Sequence, residues 1–180
     1  GEFRFGALLF ATAIVALVLA TPGSDIARVH WQHALFFLVF GVFTISIGYS
    51  HPVFGYVSFD RVAQVSSILV LGPVAAAWIN GLASLLYPWH RLRRGVPLRE
   101  VCNAALTNAG LMALTVLIAG SLYVEVAGPV PLSSLDPATF GKIVLMLVAM
   151  QCMNEGGIVA LVRVRGQPAR SSLSLFDTVT

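Results

Sequence analysis

Long apolar runs separated by short polar segments make up most of the chain. Residues 4–21, 31–49, 101–123 and 138–162 each form such a run. A run of about 18 or more apolar residues is long enough to cross a hydrocarbon layer roughly 30 Å thick as a helix. The runs are continuously apolar rather than alternating, which favours helices over a membrane barrel. The pattern therefore predicts four membrane helices at these positions.

The apolar stretch from Tyr56 to His90 contains Gly72-Pro73 near its middle. A single helix of this length would be about 50 Å long, which is too long for the hydrocarbon core without extreme tilt. Proline disfavours helix at the preceding residue, and glycine adopts dihedrals that other residues avoid. The local pattern leaves two interpretations open, a kinked long helix or two shorter helices that turn back at Gly72-Pro73.

The positions of lysine and arginine decide between these interpretations, because these residues are enriched in cytoplasmic loops. With six crossings and a cytoplasmic N-terminus, nine of the eleven basic residues face the cytoplasm and only Arg28 and Lys142 lie outside. The nine are Arg4, Arg61, Arg91, Arg93, Arg94, Arg99, Arg163, Arg165 and Arg170. Five crossings would place three inside and eight outside. The charge pattern thus favours the turn.

The predicted fold class is an all-α, polytopic membrane bundle of six transmembrane helices, in which spans three and four form a Gly-Pro hairpin. Residues 1–165 are expected to form the membrane module, and residues 166–180 a cytoplasmic tail or a linker to an output domain. Both termini are predicted to be cytoplasmic. In the loop before span six, Ser134 or Asp136 is expected to cap the helix, whose first turn holds Pro137.

Composition agrees with membrane insertion, since 57% of the residues are hydrophobic and 11% are charged, against about 25% charged in soluble domains. The net charge of +3 is explained by membrane orientation, so no nucleic-acid partner is expected. The arginine loop, with Arg91, Arg93, Arg94 and Arg99, is predicted to meet anionic lipid headgroups. Cys102 and Cys152 are predicted to be buried thiols rather than a disulfide.

Polar side chains inside a membrane span are costly, and few occur here. Gln151, Asn154 and Glu155 lie in consecutive turns of span six, with residues 151 and 155 on one face. One interpretation pairs Glu155 with an arginine of the loop near the cytoplasmic interface. The other makes it a protonatable or ligand-binding carboxylate.

Three asparagines lie in spans four and five, namely Asn80, Asn103 and Asn108. Asparagine in a membrane helix usually bonds to a neighbouring helix, so packing is the favoured role. Asn103 is also expected to face Asn154 and Glu155 and to form a polar patch with them.

Span four also carries small residues and one large aromatic side chain. Its small residues, among them Ala76 and Gly81, predict close packing against span three. Trp78 is expected to form a pocket wall.

The sequence offers little evidence for catalysis or metal binding. His30 and His33 have a spacing at which two histidines can share a metal, but without a clear third ligand they fit interfacial anchors better. The sequence has no Ser-His-Asp elbow, no phosphate-binding glycine loop and no paired carboxylates. We therefore expect neither enzymatic activity, nor a cofactor, nor a metal.

Two sequence segments carry a resemblance to a known group of membrane proteins. These are "VSFDRVAQVSSILVLGPVAAAWINGLASLL" and, after the basic loop, "PLREVCNAALTNAGLMALTVLIAGSLY". Over about residues 50–165 the chain resembles the membrane-embedded N-terminal sensory region of bacterial cyclic-di-nucleotide signalling proteins of the GGDEF and HD-GYP type. The Gly-Pro hairpin within six helices is also similar to the substrate-binding S components of energy-coupling-factor vitamin transporters.

The resemblance implies a multi-pass module of the bacterial inner membrane. In signalling relatives such a module passes a ligand or bilayer signal to a cytoplasmic output domain, whereas in transporter relatives it binds a solute near the outer side. The chain contains no GGDEF, EAL or HD-GYP motif, so an isolated input domain is expected. Implied partners are membrane lipids, a small-molecule ligand and an output domain in the same chain. A homodimer would suit output domains that work in pairs.

Overall fold

The computed structural model describes residues 1–51, 55–57 and 59–164 and shows a helical protein. Its six α-helices are α1 (Glu2–Ala20), α2 (Trp31–Ser46), α3 (Asp60–Leu71), α4 (Pro73–Leu86), α5 (Leu98–Glu125) and α6 (Pro137–Val164). The predicted helical class and the number of helices are confirmed. The predicted tail, residues 166–180, lies outside the described residues.

The connection between α2 and α3 differs from the predicted pair of long spans. Span two was expected to end at residue 49, but α2 ends at Ser46. Span three was expected to start at residue 56, but α3 begins at Asp60. Between them, β1 (Tyr49–His51) and β2 (Gly55–Val57) form an antiparallel ribbon with Ser50 opposite Tyr56. Pro52 follows β1 in the sequence, and a residue before proline favours extended backbone. Because this segment is as apolar as the helices beside it, hydrophobicity alone did not predict the change from helix to ribbon.

Three helices are long and apolar enough to cross a membrane. They are α1 with the turn after it, Glu2–Gly23, together with α5 and α6. The others are shorter, with 16 residues in α2, 12 in α3 and 14 in α4. At about 1.5 Å per residue they span roughly 24, 18 and 21 Å, less than a hydrocarbon core of about 30 Å. A 3₁₀ helix, Tyr87–Arg94, extends α4.

The chain changes direction at Gly72, between α3 and α4. Gly72 has φ +85°, a backbone conformation that glycine adopts without steric cost. The side-chain amide of Asn80 donates a hydrogen bond of 2.8 Å to the hydroxyl of Ser67. Residues 67 and 80 would be about 20 Å apart in one continuous helix. The hydrogen bond therefore joins α3 and α4 across the turn at Gly72.

Helix α5 lies at the centre of the bundle and packs against α1, α4 and α6. Small residues allow these contacts. A Cβ added at Gly110 would lie 2.7 Å from the backbone nitrogen of Phe10 on α1. A Cβ at Gly81 would lie 3.1 Å from Cβ of Ala113 on α5. The prediction that Gly81 serves the contact between α3 and α4 is wrong, because this face of α4 meets α5.

Helix α6 packs through a narrow strip that includes Met146 and Met150, both fully buried. Much of its remaining surface is exposed, Cys152 included. Cys102 on α5 is half-buried, and both cysteines are free. The absence of a disulfide between them agrees with the prediction, but burial of Cys152 was predicted wrongly because the sequence did not show how little of α6 is covered.

Candidate functional site

The first turns of α3 carry three polar side chains that bond to one another. One guanidinium nitrogen of Arg61, Nη1, donates to Oε1 of Gln64 at 3.0 Å. The amide of Gln64 donates to Oδ2 of Asp60 at 2.9 Å and to the sulfur of Met112 at 3.1 Å. These bonds use the spacing of three and four residues that places side chains on one helix face. Gln64 is only 2% exposed, whereas Asp60 and Arg61 are half-buried, so the network lies at the edge of the bundle interior.

Arg61 also reaches from α3 to the middle of α6. Its second terminal nitrogen, Nη2, donates to the backbone carbonyl of Met150 at 3.3 Å. Met150 is fully buried and lies 13 residues after the first residue of α6 and 14 before the last. One arginine therefore ties the start of α3 to the centre of the final helix.

Glu155 lies about one turn further along α6. Its carboxylate accepts a 2.7 Å hydrogen bond from the amide of Gln151, so the predicted shared face of these two residues is observed. The carboxylate also attracts the guanidinium of Arg61 electrostatically. We call Asp60, Arg61, Gln64, Gln151 and Glu155 the α3–α6 polar cluster.

The cationic neighbour of Glu155 was expected in the loop that carries Arg91, Arg93, Arg94 and Arg99. The described contacts give Glu155 an electrostatic attraction to Arg61 on α3, at a separation beyond 4 Å. The first three arginines lie in the 3₁₀ helix, with Arg93 and Arg94 exposed, and Arg99 lies in the first turn of α5. Within residues 1–48 and 59–164, the side chains that pair within 4 Å as an ion pair are Arg28 and Asp25, at 3.0 Å.

Asn103 lies against α1 rather than against Glu155. Its amide donates to a carboxylate oxygen of Glu2 at 3.5 Å, and its Oδ1 would lie 3.1 Å from a Cβ on Gly6. Asn154 is half-buried on α6 next to Glu155. The described contacts thus place Asn103 at the α1–α5 interface, whereas Glu155 belongs to the α3–α6 polar cluster.

The remaining predicted site residues occupy two other environments. Asn80 donates to Ser67 and to the carbonyl of Ala76, both at 2.8 Å, which is a packing role. The indole nitrogen of Trp78 donates to the hydroxyl of Thr21 at 3.2 Å, and its ring lines a cavity of about 310 Å³. Asn108 is exposed and lines a polar cavity of about 570 Å³.

Further lining residues of the cavity beside Asn108 are Glu2, Arg91, Glu100, Asn103 and Leu161. It therefore joins the start of α1, the 3₁₀ helix, the start of α5 and the end of α6. Another cavity, of about 340 Å³, is lined by residues of 20–26, 71–75 and 124–130. The turn at Gly72-Pro73 thus lies beside the α1–α2 connection and the end of α5.

Sequence reasoning missed Asp60 and Gln64 and assigned Arg61 only a topological role. The signal was present in "FDRVAQ", where residues 60, 61 and 64 precede an apolar run at a spacing that fits one helix face. No protein-family model, curated protein or solved structure matches the chain, so its function is inferred from these contacts and from the sequence.

Proposed function

We propose that the chain is a signal-input module of the bacterial inner membrane that crosses the bilayer six times, with both termini in the cytoplasm. The bundle senses a small ligand or the state of the bilayer, and α6 passes the change to a cytoplasmic output domain. The proposal includes no catalytic role for the bundle.

Six crossings are supported by how the shorter elements combine. The 14 residues of α4 and the eight residues of the 3₁₀ helix together give about 37 Å of helical length. The ribbon β1–β2 lies between α2 and α3 and adds chain length to that pair of helices. The outer location of Gly72-Pro73 is supported by its position beside residues 23–26.

The observation that carries the proposal is the bond from Arg61 to the backbone of Met150. A charged side chain at membrane depth is costly and is therefore a functional candidate. Arg61 has carboxylate neighbours on two helices, Asp60 on its own and Glu155 on α6. A change in the contact with Glu155 would alter the relative free energies of two positions of α6. Because α6 leads towards the tail, its movement would reach an output domain directly.

Replacing Glu155 with Gln tests this role, since the variant keeps the shape of the side chain and removes its charge. Spin labels at Arg93→Cys and Arg163→Cys, in a Cys102→Ser, Cys152→Ser background, report the distance from the 3₁₀ helix to the end of α6. We expect Glu155→Gln to shift this distance distribution while the melting temperature stays close to that of the parent. The matched control is Glu125→Gln, which neutralises an exposed carboxylate at the last residue of α5.

An unchanged distance distribution with a lowered melting temperature would show that Glu155 only stabilises the bundle. In a full-length protein that contains an output domain, Glu155→Gln should change output per folded molecule. The same variant therefore tests both the movement and its consequence.

A solute-binding role like that of an S component is the second candidate, favoured by the cavity of about 340 Å³ beside Gly72-Pro73. This volume falls at the low end of small-molecule sites, roughly 300–1,000 Å³. Native mass spectrometry of the purified protein distinguishes the candidates. A soluble molecule that copurifies, and that is lost when Val130 in the cavity wall is replaced by Trp, would favour solute binding.

A further inference from the structure

A groove runs along the outside of the bundle between α1 and α4. Both helices pack on α5, and they diverge enough to leave a cavity of about 310 Å³ between them. Phe10 and Ile14 of α1 form one wall, and Trp78, Leu82 and Leu85 of α4 form the other. Leu82 is 44% exposed, so the groove is accessible from the side of the bundle.

Small side chains form the floor of the groove. Ala109 and Ala113 of α5 lie there together with Gly81 of α4, and both alanines are almost fully buried. The polar atom of the Trp78 ring is already bonded to Thr21, so Trp78 presents aromatic carbon to the groove. Hydrocarbon and aromatic carbon therefore make up the surface that an occupant meets.

Positive charge follows the groove at one end. Leu85 is the second-last residue of α4, and the 3₁₀ helix Tyr87–Arg94 begins two residues later. Arg93 and Arg94 in this helix are exposed. Tyr87 has helical backbone, with φ −56° and ψ −46°, so the basic segment continues directly from the end of the groove wall.

We propose that the groove binds one anionic phospholipid, with an acyl chain between α1 and α4 and the phosphate at Arg93 and Arg94. An apolar slot beside a pair of exposed cations matches both parts of such a lipid. Juxtamembrane arginines attract anionic headgroups, and the long arginine side chains can reach the headgroup layer. The inference rests on the membrane insertion in the proposed function, but not on signalling.

Quenching of Trp78 fluorescence by brominated acyl chains tests the site. The chain has three tryptophans, so Trp31→Phe with Trp89→Phe leaves Trp78 alone. The protein is reconstituted in phosphatidylcholine vesicles that contain a small fraction of brominated phosphatidylglycerol or, separately, brominated phosphatidylcholine. We expect a relative binding constant for the anionic lipid of roughly 30, which corresponds to about 2 kcal/mol for the two arginines near the surface.

A matched control reports lipids that contact the bundle without selection. Val39 on α2 is 60% exposed, and Val39→Trp in a background with Trp31, Trp78 and Trp89 replaced by Phe gives a single lipid-facing tryptophan. At this position the binding constant for phosphatidylglycerol relative to phosphatidylcholine should be close to one. Because each ratio compares two headgroups at one position, differences in depth between residues 39 and 78 cancel.

Arg93→Gln with Arg94→Gln should lower the ratio at Trp78 to that of the control, in protein that still melts like the parent. Equal ratios at Trp78 and at the control position in the parent background would overturn the lipid site. Vesicle flotation is measured first, because protein that does not float with vesicles would overturn membrane insertion itself. The two failures are therefore distinguishable.

Discussion

At Gly110 the backbones of α5 and α1 approach so closely that a methyl group does not fit between them. An added Cβ would lie 2.7 Å from the nitrogen of Phe10 and 2.8 Å from the carbonyl carbon of Leu9. Neither atom can move without moving α1 itself. The fit of these two helices therefore depends on the missing side chain at Gly110.

Gly110→Ala should destabilise the protein by about 1–3 kcal/mol, the usual cost of overpacking a well-packed interface. The measurement is thermal unfolding in detergent. Gly141→Ala on α6 is the matched control, because nothing lies within 4 Å of a Cβ at that position. Since alanine is a better helix former than glycine, the control should melt at or slightly above the temperature of the parent. Equal melting of the two variants would contradict the backbone contact.

The sequence could not predict which side chains of the site lie close to one another. The shared face of Gln151 and Glu155 follows from helix periodicity, and it was predicted. The proximity of Glu155 to Arg61 depends on how α3 is placed against α6, 94 positions apart in the chain. Periodicity contains no information about that placement, and a count of charges treated Arg61 as a loop residue.

At the scale of single elements, the start of α6 shows how a local signal fixes a helix boundary. Oδ1 of Asp136 accepts a hydrogen bond of 2.8 Å from the backbone nitrogen of Thr139, and Pro137 occupies the first helical position. The two candidate caps were Ser134 and Asp136, and the structure identifies Asp136. The backbone hydrogen bond from Thr139 lowers the pKa of Asp136 below its ordinary value.

Asp136→Ala should lower the melting temperature at neutral pH, because it removes the acceptor for a backbone N–H of the first turn. A lowered pKa means that the carboxylate stabilises the folded state above its ordinary pKa, and that this contribution disappears as pH falls through the lowered value. The difference in melting temperature between parent and Asp136→Ala should therefore become smaller in acid. Asp136→Asn keeps a neutral acceptor. The difference in melting temperature between Asp136→Asn and Asp136→Ala should therefore not depend on pH.

A difference in melting temperature between parent and Asp136→Ala that stays constant from neutral pH to strong acid would show that the charge on Asp136 contributes nothing to the cap.

Local signals such as a capping residue and a proline at the first helical position explain why the long helices were predicted to within a few residues. The start of α3 was predicted less well, since the ribbon before it depends on pairing two strands rather than on a cap.

For the whole molecule, the proposed orientation places the turn at Gly72-Pro73 outside and the arginine loop inside. The cavity beside Gly72-Pro73 includes residues of the α1–α2 connection. The cavity at Arg91 includes Glu2 and Leu161, from the two helices that begin and end the bundle. The predicted outer and inner residues thus lie in separate groups, and the predicted crossings can be tested residue by residue.

Single cysteines test the orientation in a Cys102→Ser, Cys152→Ser background. Leu135, which is 65% exposed before α6, and Leu98, which is 58% exposed at the start of α5, are the two positions. In intact cells an impermeant maleimide should label Leu135→Cys, and Leu98→Cys should react only after permeabilisation. Labelling of both in intact cells, or the reverse order, would contradict six crossings with cytoplasmic termini.

The helix contacts of the bundle differ in stiffness. Gly110 brings α5 against the backbone of α1, whereas the atoms nearest to a Cβ at Gly157 on α6 would be side-chain carbons of Leu111. Side-chain ends rotate at low energetic cost, but backbone atoms move only when their whole helix moves. In an elastic body made of stiff and compliant contacts in series, deformation concentrates in the compliant ones. A stress on this bundle would therefore displace α6 while α1 and α5 keep their relative positions.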